Sequence, residues 1–154
     1  MRFAILATSL VALVLAQGTA TDSKESNYGK YIGEQDYKLP FKTRMRKRVN
    51  INLYRESKEY ALQVSIRFNE GAIVRNAMTS NVWGKEEREG KMPLNKKEVF
   101  DVTIINEEFS FQIFFNGKRF GTFAHRGSPT DIKTLEIDGD VDVQTVTIND
   151  APGV

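Results

Sequence analysis

The sequence predicts an all-β fold, an antiparallel two-sheet sandwich, on three observations. Beyond residue 27 the apolar residues alternate with period two and long runs of period 3.6 are missing. Turn-forming residues recur about every 8 to 12 positions, as in sandwiches rather than in strand–helix–strand units. Two apolar runs meet at Asn116-Gly117, the strongest short hairpin signal a chain can carry.

The elements follow in order. MRFAILATSLVALVLAQ begins with a positive charge at Arg2 and an apolar run from Phe3 to Leu15, followed by small residues; this is the layout of a secretory signal peptide cut after Ala16 or Ala20. The run is short for a membrane-spanning helix, so an uncleaved anchor is the lesser reading and a secreted, extracellular protein the expected one. Residues 21–35 are polar and read as a flexible segment. KTRMRKR (42–48) reads as a charged edge that discourages unwanted pairing, with binding of acidic glycans or proteolytic processing as the sharper alternatives.

VNINLY (49–54) sends Val49, Ile51 and Leu53 to one face and Asn50, Asn52 and Tyr54 to the other. YALQVSIRF (60–68) turns Leu62, Val64, Ile66 and Phe68 inward and Gln63, Ser65 and Arg67 outward. FDVTII (100–105) is a further strand, EFSFQIFF and KRFGTF form the hairpin about Asn116-Gly117, and TLEIDGDVDVQTVTI closes the chain with two runs around Asp138, Gly139 and Asp140.

Composition narrows the chemistry. A chain of 154 residues without cysteine makes one domain resting on its apolar core, with no thiol nucleophile and no cysteine-held zinc. Its 22 Lys and Arg nearly balance 20 Asp and Glu, so bulk charge gives no argument for nucleic acid. It holds no N-x-Ser/Thr sequon.

The sole tryptophan stands in NVWGKEERE (81–89), against five charged residues. Gln63, Ser65 and Arg67 line the outward face of one strand as an amide, a hydroxyl and a guanidinium, and the next stretch adds Asn76, Trp83, Glu86 and Arg88. At strand spacing Glu86 and Arg88 share a face, so the acid can sit between Arg88 and Arg67 as a fixed network that holds donors in place. A sugar, with hydroxyls on its edge and C–H bonds on its face, suits a set that joins an aromatic ring to such groups. An ordinary wet sheet face and a core tryptophan are the plainer alternatives at this point.

From Arg48 to Ile148 the sequence resembles the galectins: RVNINLY, IRFNEGAIVRN, WGKEERE, FQIFFNGKRFGTFAHR and IDGDV stand in the family's order with similar gaps. The resemblance implies a galectin-like jelly-roll sandwich, assigned to residues 36–150 with the signal peptide read from the N-terminal layout at 1–20, and binding of β-galactoside glycans without a metal or other cofactor. It implies that Arg67 takes the arginine of the family's HxNPR motif, Asn76 the following asparagine, and Trp83, Glu86 and Arg88 the WGxExR run. Trp83 would then stack on galactose, Asn76 and Glu86 would bond its exocyclic hydroxyl, and Arg67 and Arg88 would reach the axial hydroxyl and the neighbouring sugar. Gln63 stands in place of the motif histidine, Ser65 in place of the asparagine and Ile66 in place of the proline, so the expectation is a weakened or altered galactoside preference. LPFKTRMRKRVNINLY joins two family segments directly, which implies a sandwich short of one N-terminal strand.

Other residues promise less. His125 is the only histidine, too few for a His-Asp-Ser arrangement or a histidine metal site, and is read as structural. IDGDVD (137–142) lacks the ligand loop of an EF-hand and reads as a turn. Glu86 and Glu87 are consecutive, so they face apart and cannot flank one glycosidic bond. The reading is a non-enzymatic lectin; an interaction protein that has lost sugar binding is the nearer alternative and a glycoside hydrolase the remote one. With one binding face per chain, crosslinking of glycoconjugates would require a homodimer.

Overall fold

The structure is a computed structural model that describes residues 11–17, 29–31, 48–96, 98–139 and 141–149. All regular structure among them is strand: β1 (Val11–Gln17), β2 (Gly29–Tyr31), β3 (Arg48–Arg55), β4 (Tyr60–Arg67), β5 (Ala72–Asn76), β6 (Met78–Thr79), β7 (Val82–Trp83), β8 (Phe100–Asn106), β9 (Ser110–Phe115), β10 (Lys118–Ala124), β11 (Ile132–Gly139) and β12 (Asp142–Asn149). They form two five-stranded sheets, ordered β10-β9-β8-β1-β12 and β2-β11-β3-β4-β5, with β6 and β7 as a separate hairpin. The pairings are antiparallel throughout, so the predicted all-β sandwich is the fold.

Alternation explains the sandwich. Ile51, Leu53, Leu62, Val64 and Ile66 of one sheet and Val102, Ile104, Phe111 and Ile113 of the other are fully buried, and the residues between them face outward. This is the inward set expected for β3 and β4, except that Phe68 lies past the end of β4 and packs on the core margin. The hairpin turn falls at Asn116 and Gly117, with φ of 50° and 72°, the left-handed pair that a two-residue turn needs. Gly139 ends β11 with φ 110°, where an added Cβ would stand 2.3 Å from the Arg48 carbonyl oxygen.

The N-terminal expectations meet the structure at two places. Val11–Gln17, inside the stretch read as a leader, forms β1 and pairs on one side with β8 and on the other with β12. Composition does not separate the two: an unbroken apolar run can serve as a leader, and here its backbone pairs as a strand between β8 and β12. Gly29–Tyr31, within the segment read as flexible, pairs with β11. The rest of both segments, and the basic run up to residue 47, lie outside the described residues. No helix among the described residues is long and apolar enough to cross a membrane.

Candidate functional site

The outward face of the β2-β11-β3-β4-β5 sheet is polar, and its register sets side chains in rows. Asn50 stands opposite Ser65 and Asp138, and Asn52 opposite Gln63 and Glu136. Each row is hydrogen-bonded. Ser65 Oγ donates to Asn50 Oδ1 at 2.7 Å and Asn50 Nδ2 to Asp138 at 3.3 Å, while Gln63 Nε2 donates to Asn52 Oδ1 at 3.1 Å and Asn52 Nδ2 to Glu136 at 3.3 Å. The Tyr54 hydroxyl also donates to Glu136, and burial pushes its pKa upward, with that bond reinforcing the shift.

The chain beyond β5 folds back along it. Arg75 and Glu87 exchange two backbone hydrogen bonds of 2.9 Å, so residues around Glu87 run as a short extra strand beside β5. Side chains alternate there, which puts Glu86 and Arg88 on the face of Arg67 and turns Glu87 away. Arg67 Nη2 donates to Glu86 Oε1 at 2.7 Å, and Arg88 Nη1 donates to Glu86 Oε2 at 2.9 Å. The acid thus sits between the two arginines, as the spacing predicted. These two bonds, that from Arg67 first, hold the Glu86 carboxyl below the usual carboxylate range.

Glu70 extends the network. It accepts from Arg88 at 2.6 Å and Arg67 at 3.4 Å and faces Arg48 at 3.6 Å, and its pKa is lowered chiefly by the Arg88 bond. Arg67 is therefore braced from two sides and only 12% exposed. Both glutamates are ionised near neutral pH, a state suited to accepting hydrogen bonds and unsuited to a general acid.

Trp83 stands on the β6–β7 hairpin, whose turn residues Ser80 and Asn81 have φ of 51° and 60°. The Glu59 carboxylate accepts the Asn81 N–H at 2.9 Å and pins this turn. One side of the indole rests on Tyr60, centroids 4.6 Å apart, and Tyr60 rests on Tyr54 at 4.5 Å. The side chain is 41% exposed, so the ring is neither core nor free but an aromatic platform backed by two tyrosines.

The predicted site residues divide into two groups. Arg67, Trp83, Glu86 and Arg88 present exposed or partly exposed groups on one side of the sheet. Asn76 lies behind them, 7% exposed: its Oδ1 takes the Ala77 N–H and the Arg126 guanidinium, each at 2.9 Å, and its Nδ2 donates to the Gly84 carbonyl at 2.9 Å. Gln63 is half-buried with its amide turned to Asn52. Ser65 is 1% exposed, and its hydroxyl donates to Asn50 and receives Arg67 Nε at 3.3 Å, so it supports Arg67 instead of facing a ligand. Glu70, Asn50, Asn52 and Tyr60 join the site without having been singled out. The period-two pattern could have nominated the asparagines, which alternate with core residues on a strand beside Gln63 and Ser65.

The remaining candidates are accounted for locally. His125 shares a hydrogen bond with the Glu107 carbonyl at 2.7 Å and packs edge-on against Phe111. Asp138 belongs to the polar ladder, and among the described residues no group of three or more His, Cys, Asp or Glu could hold a metal ion.

Two facing antiparallel sheets, one with a polar outer face that ends at an exposed tryptophan and an Arg-Glu-Arg network, define a sandwich of the galectin type. Residues 27–148 match the model of the galactoside-binding lectin family. The chain belongs to that family. It is 52% identical over 102 residues to a 32 kDa beta-galactoside-binding lectin of Haemonchus contortus, covering 66% of this chain and 36% of that protein. A protein of the same name from Caenorhabditis elegans is 44% identical over 102 residues, covering 66% of this chain and 37% of its own length. The chain thus spans little more than a third of these curated relatives. Among solved structures, the fold is similar to the Caenorhabditis elegans galectin LEC-6, with a TM-score of 0.71 at 21% identity over 94% of this chain and 84% of that one. It is also similar to chicken galectin 2, with a TM-score of 0.67 at 20% identity over 91% and 89%.

Proposed function

We propose that the chain is a non-catalytic lectin that recognises β-galactoside glycans without a metal ion. The observation that carries this reading is the half-exposed Trp83 platform beside the Arg67-Glu86-Arg88 network: an apolar surface and a fixed set of donors and acceptors, matched to a ring with a C–H face and hydroxyl edges. Family membership and the names of the two nematode relatives support it.

Gln63 gives one amide hydrogen to Asn52, and Ser65 gives its hydroxyl hydrogen to Asn50. The site therefore offers fewer free donors on β4 than the family motif implies, and we expect a weakened or altered preference among galactosides. The same observation favours, as a second reading, a galectin-fold interaction protein without sugar affinity.

A lactosyl-agarose column eluted with lactose separates the two readings. Wild-type protein is retained and released by lactose, and Trp83→Ala passes through. If the wild type also passes through and a glycan array is blank, the interaction reading takes over.

We further propose that the protein is secreted through the leader-like N-terminus and that a homodimer presents two binding faces to crosslink glycoconjugates. Cutting after Ala16 or Ala20 would remove β1 wholly or in part from the folded chain, so the intact mass of the secreted protein reports on the leader and the strand together.

A further inference from the structure

Arg126 lies in the loop after β10, far along the chain from the site, and among the described residues every polar contact of its guanidinium is made with the segment that carries the site. Nη1 donates to Asn76 Oδ1 at 2.9 Å, and Nη2 donates to the Lys85 carbonyl at 2.8 Å and to Glu87 Oε1 at 3.0 Å. The group lies over the Phe123 ring, 4.6 Å from its centroid, so a fully buried aromatic fixes its plane. It also occupies the space behind Gly84, where an added Cβ would come within 2.4 Å of Nη1.

Chemistry makes these contacts directional. A guanidinium only donates, so Asn76 must turn its oxygen toward Arg126 and its NH2 the other way. One of the two amide hydrogens goes to the Gly84 carbonyl. The other is the polar valence of Asn76 left for a ligand. Holding the Lys85 carbonyl and the Glu87 carboxylate at the same time ties the residues on both sides of Glu86 to one guanidinium, and occupying the space at Gly84 fixes the residue that follows Trp83.

We propose that Arg126 is a positioning residue of the glycan site, which sets Asn76 as a hydrogen-bond donor and holds the chain from Trp83 to Glu87 from behind. The glycan arm of this proposal rests on the galactoside reading; the arm concerning Trp83 stands without it.

The test compares Arg126→Ala, Arg126→Lys, Asn76→Ala and the Arg126→Ala/Asn76→Ala double variant by calorimetric titration with lactose, acrylamide quenching of the sole tryptophan, and thermal melting. Arg126→Ala should weaken lactose binding about tenfold, the loss of one buried charge-assisted contact at the site. Lysine, with one point of donation in place of a fork, should restore only part of it. The losses from Arg126→Ala and Asn76→Ala should fall well short of adding in the double variant, whereas an arginine that merely stabilises the fold would give additive losses. Quenching of Trp83 should rise in Arg126→Ala. Should that variant fail to fold, Arg126→Lys carries the test: weakened lactose binding at a near wild-type melting temperature is expected. Wild-type affinity and quenching in a folded Arg126 variant, or fully additive losses, would overturn the proposal. A wild type that binds no galactoside defeats the galactoside reading and the glycan arm with it, while quenching of Trp83 still decides whether Arg126 holds the segment.

Discussion

Replacing Trp83 by alanine asks whether the indole serves the core or a ligand, and the structure assigns a magnitude to each. A tryptophan side chain offers roughly 200 Å² of surface. With 41% of it exposed, roughly 120 Å² is covered, with Tyr60 against one side, and roughly 80 Å² faces outward. At about 25 cal/mol per Å², the covered part sets an upper bound near 3 kcal/mol on the stability lost, and about 2 kcal/mol is expected once alanine recovers some of the contact. A fully buried aromatic such as Phe111 should cost about 3–5 kcal/mol on the same substitution. The outward face, if a galactose ring covers it, is worth about 2 kcal/mol, or about thirtyfold in affinity. Urea denaturation followed by circular dichroism measures the first quantity and calorimetric titration with lactose the second. A loss of 4 kcal/mol or more with lactose affinity unchanged would refute the argument, since it would make Trp83 a core residue.

Three further outcomes are expected. Glu86 and Glu70 have lowered folded-state pKa values, so the stabilisation from their ion network is complete above the ordinary carboxylate value of about 4.3 and is lost as the pH falls through the lower folded values. Lactose affinity should accordingly hold from pH 7 to 5 and be lost only as the pH falls below the ordinary carboxylate range; Glu86→Gln should weaken it about tenfold at neutral pH and blunt the acid limb, and a decline already under way at pH 6 would contradict this assignment. Gly139→Ala forces a side chain onto φ 110° and against the Arg48 carbonyl, and should destabilise by about 2 kcal/mol or more in thermal or urea melts while leaving lactose affinity intact. Removing residues 1–17 takes β1 from between β8 and β12 and leaves two open edges, so the shortened chain should melt well below the full one; equal melting temperatures would show that β1 contributes nothing.

The strands that alternate cleanly were legible because each side chain announces its face: Ile51 and Leu62 are core, and Asn52 and Gln63 are on the polar side. The Asn116-Gly117 turn was legible because few residue pairs tolerate two left-handed positions in succession. β6 and β7 were not, since a pair of two-residue strands carries no period. In the site, the Glu86 bridge followed from side-chain alternation, but Glu70 reaches it from a turn after β4 and Arg126 from a loop after β10. Neither position has a local signal, because sheet topology alone brings them there. The burial of Ser65 was hidden for the same reason: whether a polar residue on an outward face meets solvent or a neighbouring strand's asparagine depends on register. β1 shows the limit of composition, since one apolar run reads as a leader and pairs as a strand between β8 and β12.

Titration of the wild-type protein with lactose, followed through the emission of its one tryptophan, tests the central claim most directly. A sugar seated on the exposed face of Trp83 should give a saturable change in intensity and position that maltose does not reproduce. An emission spectrum indifferent to lactose at every concentration, together with no heat of binding, would contradict the lectin account.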